Sequence, residues 1–422
     1  MQKGNYTYSL FIIGTLFFIF GFVTWLNGTL IPFLKLACDL QTDAQALLVT
    51  FAFYMAYFFL ALPSSFILNR TGFKKGMALG LLIMAAGALL FIPAAYMRSF
   101  AVFLTGLFVQ GMGLSLLQTA SNPYISVIGP IESAASRISV MGIANKVAGA
   151  LSPLILSALV LSDAGAMEKQ IEEATDAVLR NALLDQLAQR IITPYLAMSA
   201  ALIMLAVMIR FSALPEIESE SEELADTDLS KGKTSVLQFP HLILGAICIF
   251  VYVGVEVMAG DVIGPYGKAQ GMSLDETKNF TSFTLWSMVA GYVVGIVTIP
   301  RYISQQDALK YSAMTGVLFA LLAQITSGYY SILFIALLGL ANALMWPAIF
   351  PLAIDGLGRF TKTGSAILIM GIAGGAVIPQ LYGWLVSENG LGLNAQLSFT
   401  LCVLPCYLYI LYYAVAGYKA GK

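Results

Sequence analysis

Charge is scarce in this chain. Only 11% of its 422 residues are Asp, Glu, Lys or Arg, in near balance at 23 acidic and 22 basic, and there is one His. Ordinary globular domains carry charge at about a quarter of their positions, so a water-soluble domain of this length is excluded. A net charge of −1 gives no overall excess of positive charge for nucleic acid, and none is expected as a partner. Four cysteines, Cys38, Cys248, Cys402 and Cys406, lack metal-ligand spacing and read as small apolar packing residues rather than disulfides or ligands. With a single His beside them, neither a transition-metal site nor any other cofactor is expected. No hydrolase elbow, phosphate loop or zinc motif stands in a plausible context, so the chain does not read as an enzyme.

What fills the space is apolar. Hydrophobic residues make up 59% of the sequence, and the mean hydropathy is +0.82. Apolar runs of roughly 20 residues, enough helix to cross about 30 Å of hydrocarbon, recur between short polar breaks. About twelve spans are expected, from Leu10–Leu34 to Leu397–Tyr418. The first run is too long for a signal-peptide core and lacks a small-residue cleavage pattern, so no cleaved leader is expected. Lys and Arg gather in the breaks on the side of the amino terminus, which predicts that both termini face the cytoplasm.

Two breaks are longer. The segment from about 163 to 190 has charges and aliphatic residues at helical spacing and predicts an amphipathic extracytoplasmic helix. The acidic stretch within 215–238 reads as a flexible cytoplasmic linker. It separates an amino-terminal six-helix bundle, 1–214, from a carboxy-terminal one, 239–422. The halves repeat one another: GFVTWLNGTLIPFLK from Gly21 is answered by GVEVMAGDVIGPYGK from Gly254, and Met141-Gly142-Ile143-Ala144 by Met370-Gly371-Ile372-Ala373. Pseudo-two-fold repeats of six spans, with a site between them near the midplane, build one large class of transporters.

The loop NRTGFKK at Asn69–Lys75 is similar to the basic loop signature of the major facilitator superfamily, although Asn69 and Phe73 depart from its usual acidic and basic positions. WLNGTLIPFLK, FAFYMAYFFLALPSSFILNRTGFKKG, LLQTASNPYISVIGPIESAASR and FVYVGVEVMAG together resemble the fucose–proton symporter family, in particular its bacterial glucose/galactose branch. The resemblance implies an all-α major facilitator fold and a multi-pass protein of the bacterial inner membrane. It also implies import of a monosaccharide by alternating access with co-transported Na+ or H+. A monomer surrounded by lipid is expected. A drug–proton antiporter of the same superfamily and a non-transporting sugar sensor are the competing readings.

Candidate residues follow from polarity at membrane depth. Ser115, Gln118 and Asn122 fall on one helical face of the fourth span, which is costly in hydrocarbon unless wetted or paired. Amides suit vicinal hydroxyls, because each offers donors and an acceptor. Asn27, Tyr54, Asn145 and Asn342 lie at similar depth, as does Trp346, the repeat counterpart of Gln118, and complete the expected sugar site. Lys146, Glu256 and Asp261 are the candidate ion-coupling groups, with Lys146 expected to meet a carboxylate such as Glu256. Asp261 is expected nearer the outer surface, solvated or paired. A Na+ site near Glu256 is one form the coupling could take. The resemblance places carboxylates at two positions that are Gly28 and Gln118 here, so coupling must use other groups. His241 reads as a boundary residue. Arg70, Lys74, Lys75, Arg137, Asp355, Arg359 and Lys362 are the expected cytoplasmic gate.

Overall fold

The computed structural model describes residues 3–127, 134–212, 214, 232–299 and 301–421. Helices supply twelve candidate spans, from Tyr8–Ala37 to Ala395–Val415, and strands are absent among the described residues. Spans of this kind satisfy every backbone group internally, which a bilayer core demands. Successive spans run up and down. One face therefore holds the described ends of the chain, near Lys3 and Gly421, and the other holds the segment between the fifth and sixth spans, here called the hairpin face.

That segment departs from the single amphipathic helix expected. It forms two helices, Ala164–Glu173 and Ala177–Gln189. The first gives way to extended backbone at Ala174, and Asp176 starts the second, its carboxylate accepting from the Val178 N–H as the cap. Arg180 donates to both carboxylate oxygens of Asp39 at 2.8 Å, and Arg190 pairs with Asp163. These hydrogen bonds hold both carboxyls below their usual range. The ties are therefore intact at neutral pH and are lost only as pH falls below about 4.

The repeat in the sequence becomes a repeat in shape. The first span breaks between Trp25 and Asn27, giving Lys3–Trp25 and Asn27–Ala37. The seventh span ends at Gly260 and resumes as Ile263–Ala269. Pro32 and Pro265 are repeat mates just beyond the two breaks. Each lacks an N–H for the carbonyl four residues back, Gly28 and Asp261 respectively, and crowds it. Close packing is repeated as well. A Cβ on Gly21 would lie 1.8 Å from the Asn145 carbonyl oxygen, and one on Gly374 would lie 1.7 Å from that of Phe250. Residue 374 is the repeat mate of 145, and Gly254 of Gly21, so spans one and five touch as spans seven and eleven do.

At the hairpin face the two halves are in contact. Ser157 and Asn279 are hydrogen-bonded at 2.6 Å. Lys278 donates to the Leu161 carbonyl at 2.9 Å and Gln380 to that of Ala44 at 3.1 Å. Lys268 pairs with Glu168. Below this layer a small apolar cluster of Trp25, Ala150, Leu285, Met288, Tyr292 and Ala343 draws on both halves.

Because backbone oxygens cannot yield, Gly21→Ala and Gly374→Ala should each lower stability by about 1–3 kcal/mol. Gly14 faces only Met141 at 3.6 Å, and its alanine variant should melt at or above the parent temperature. Thermal unfolding of the detergent-purified variants checks both.

Candidate functional site

Three residues form the centre of the molecule. Lys146 from the fifth span lies 2.8 Å from Oε1 of Glu256 on the seventh, a bond between the two halves. Tyr252, one turn before Glu256, donates its hydroxyl to the same oxygen at 2.9 Å. Both ions are 8% exposed. The Lys146 ammonium also lies 4.7 Å from the centre of the Trp25 ring, so its charge meets an anion and an aromatic face. The pair expected from the sequence is formed. Tyr252 was not singled out beforehand, although its place four residues before Glu256 puts both on one helical face.

Aromatic and amide groups surround the pair. Trp346 is half-buried, tilted against Tyr252 with ring centres 6.4 Å apart and stacked on Phe350. Tyr54 is 3% exposed, stacks against Tyr57, and packs on Gly375, whose missing side chain leaves it room. Gly375 is the repeat mate of Lys146, so one half places a cation where the other admits an aromatic ring. Gln118 donates to the Tyr57 hydroxyl at 3.1 Å. Asn342 accepts from Tyr407 at 2.8 Å, and its amide nitrogen has no partner. Ser115 is fully buried with its hydroxyl unbonded.

Other candidates stand differently from expectation. The Asn145 amide donates to the Phe17 carbonyl at 3.2 Å, tying the fifth span to the first within one half. Asn27 is fully buried and neither amide atom is bonded. Asp261 is also fully buried rather than near solvent. Pro265 and the break it enforces keep this residue between helices at the contact of the halves. The Gly28 backbone lies against its carboxylate, but neither oxygen meets hydrogen-bond geometry. Lys74 donates to the Ser212 carbonyl at 2.5 Å, closing the end of the sixth span within the first half. Arg70 and Lys75 are exposed. The Asp355 carbonyl lies 2.9 Å from His241 Nε2, which makes the buried His241 a tie inside the second half. The side chains of Asn122, Arg137, Arg359 and Lys362 lie outside the described residues, as does most of the acidic linker.

A cavity of about 400 Å³ opens on the hairpin face. It is lined by groups of both halves, among them Lys35, Asp39, Asp43, Glu168, Arg180 and Lys268. Most of these charges are paired with one another, so it is an ionic vestibule separate from the central cluster. No group of three or more His, Cys, Asp or Glu side chains is placed to hold a metal ion among the described residues.

Comparison with known proteins covers nearly the whole chain. The Major Facilitator Superfamily model matches residues 13–379. A glucose/galactose transporter of Brucella abortus is 34% identical over 422 residues, covering 99% of this chain and 96% of that protein. The L-fucose-proton symporter of Escherichia coli is 26% identical, covering 97% and 93%. The crystal structure of the transporter FucP in the outward conformation matches the fold with a TM-score of 0.73 at 24% identity, covering 97% of this chain and 99% of that one.

Removing one partner of a buried ion pair strands the other, at a cost of about 3–5 kcal/mol. Lys146→Met and Glu256→Gln should each destabilise strongly. The double variant should recover part of the loss, a coupling that a double-mutant cycle on thermal or denaturant unfolding measures.

Proposed function

This chain belongs to the Major Facilitator Superfamily, and on that premise we propose that it imports a glucose/galactose-type hexose together with a cation by alternating access. The observation that carries the substrate class is the full-length likeness to the Brucella glucose/galactose transporter. The site chemistry agrees with it. Gln118, Asn122 and Asn342 offer amide donors and acceptors, while Tyr54 and Trp346 offer aromatic faces to the C–H side of a pyranose ring. Asn145 already holds a backbone carbonyl and serves the scaffold. One chain carries the whole set, so a monomer in lipid suffices.

In this reading the bodies 1–214 and 239–422 rock about the central pair, joined by the linker 215–238 in the cytoplasm of a bacterium. Arg70, Lys75, Arg137, Asp355, Arg359 and Lys362 belong to the gate on that side. A proton is the favoured cation. The E. coli relative is named as a proton symporter, and Glu256, the candidate sodium ligand, already accepts from Lys146 and Tyr252.

Uptake of labelled glucose and galactose into proteoliposomes tests the reading. It should saturate, be competed by the unlabelled sugars and be driven uphill by an inward proton gradient. Absence of uptake across a panel of hexoses by folded protein overturns it. Gln118→Ala removes one hydrogen bond from a desolvated site and should weaken sugar binding roughly ten- to a hundredfold, read as the half-saturation for exchange.

A further inference from the structure

Asp261 is the one carboxylate at the contact of the halves, among the described residues, that is fully buried with both oxygens unbonded. The groups facing it from each packed element can be named. Glu256 of its own helix and Lys146 of the fifth span are the charges that act on it, and the Gly28 backbone of the first span lies against it. Tyr54 of the second span is within electrostatic reach. Lys146 is not free to neutralise it, because its hydrogen bond goes to Glu256. An ionised carboxylate sealed here would have neither a counter-ion in contact nor a donor, so burial disfavours the charged form. A neutral carboxyl escapes the cost of the buried charge and is left only with the smaller one of unmade hydrogen bonds.

The layer around it is a seal. A Cβ on Gly28 would lie 2.1 Å from Thr281 Oγ1 of the eighth span, and one on Gly260 would lie 2.3 Å from the Trp25 ring. Gly28 and Asp261 are repeat mates that touch, so they meet where the two halves turn about each other. Asn27, beside Gly28, is equally buried and unbonded. Two polar side chains left unsatisfied in one layer would regain hydrogen bonds from water admitted by a parting of the hairpin face.

We propose that Asp261 is the proton-binding residue of the transport cycle: it takes its proton from solvent on the hairpin side, and only the neutral form permits that face to close. The proposal rests on the transport reading above and adds the identity of the coupling group. The proton adds to one carboxylate oxygen while the site faces the hairpin side and leaves to water on the terminal side, so each cycle moves one positive charge with the neutral sugar. Glu256 and Lys146 remain a fixed pair.

Two measurements decide it. In purified protein at neutral pH, the infrared band of a protonated carboxyl should be present and should vanish in Asp261→Asn, which should melt no lower than the parent. Spectra that match in this region overturn the proposal whether or not sugar moves. In proteoliposomes without an imposed gradient, added sugar should raise external pH for the parent chain. Asp261→Asn should abolish that rise and reduce accumulation to the equilibrium level, while sugar exchange continues, and Asp261→Glu should restore part of the rise. Uphill accumulation by Asp261→Asn sinks the idea, as does loss of exchange in a folded variant. If the parent exchanges no hexose, the transport reading fails, and the infrared difference alone decides the state of Asp261.

Discussion

A lysine and a glutamate can share the interior of a membrane protein only if they meet, and here they come from opposite halves of the chain. The Lys146–Glu256 bond is therefore both an electrostatic necessity and a junction. Each ion would be stranded at a cost of several kcal/mol without the other, so the pair fixes how the fifth and seventh spans face each other. Tyr252 and Trp25 complete its surroundings and leave neither charge exposed to lipid. Around that junction Gln118, Asn342 and Tyr54 supply polar atoms that carry no charge of their own.

The scaffold is nearly symmetric and its chemistry is not. Prolines at equivalent positions break the first and seventh spans in the same way, and the close approaches at Gly21 and Gly374 repeat across the halves. The repeat mates differ in chemistry at three places. Lys146 corresponds to Gly375, Asn145 to Gly374, and Asp261 to Gly28. In each case one half supplies a polar group and the other supplies the space that a side chain would have occupied.

At the hairpin face polar ties between the halves lie over apolar contacts that also join them. Serine, asparagine, glutamine and lysine reach across to backbone or side-chain partners, and each such bond is worth only about 0.5–1.5 kcal/mol net. Water can replace them one for one. The interior of each bundle is held differently, by ridges of Leu, Ile and Phe that interlock against glycine-lined surfaces.

Composition and periodicity by themselves determined the class of this molecule, its twelve spans and its two halves. Those features depend on hydrocarbon thickness and helix rise, which act on each segment separately. The ion pair was legible too, because two opposite charges buried in oil have few alternatives. Other features were not. Asn145 turned out to tie a backbone carbonyl, Lys74 to close a helix end, and the 163–190 segment to split at Asp176, since each depends on which neighbour lies within 3 Å. The burial of Asp261 is of the same kind. Its place at the end of a span suggests a solvated group. Only the meeting of two broken helices, with Gly28 on one side and Thr281 and Trp25 close by, removes it from water.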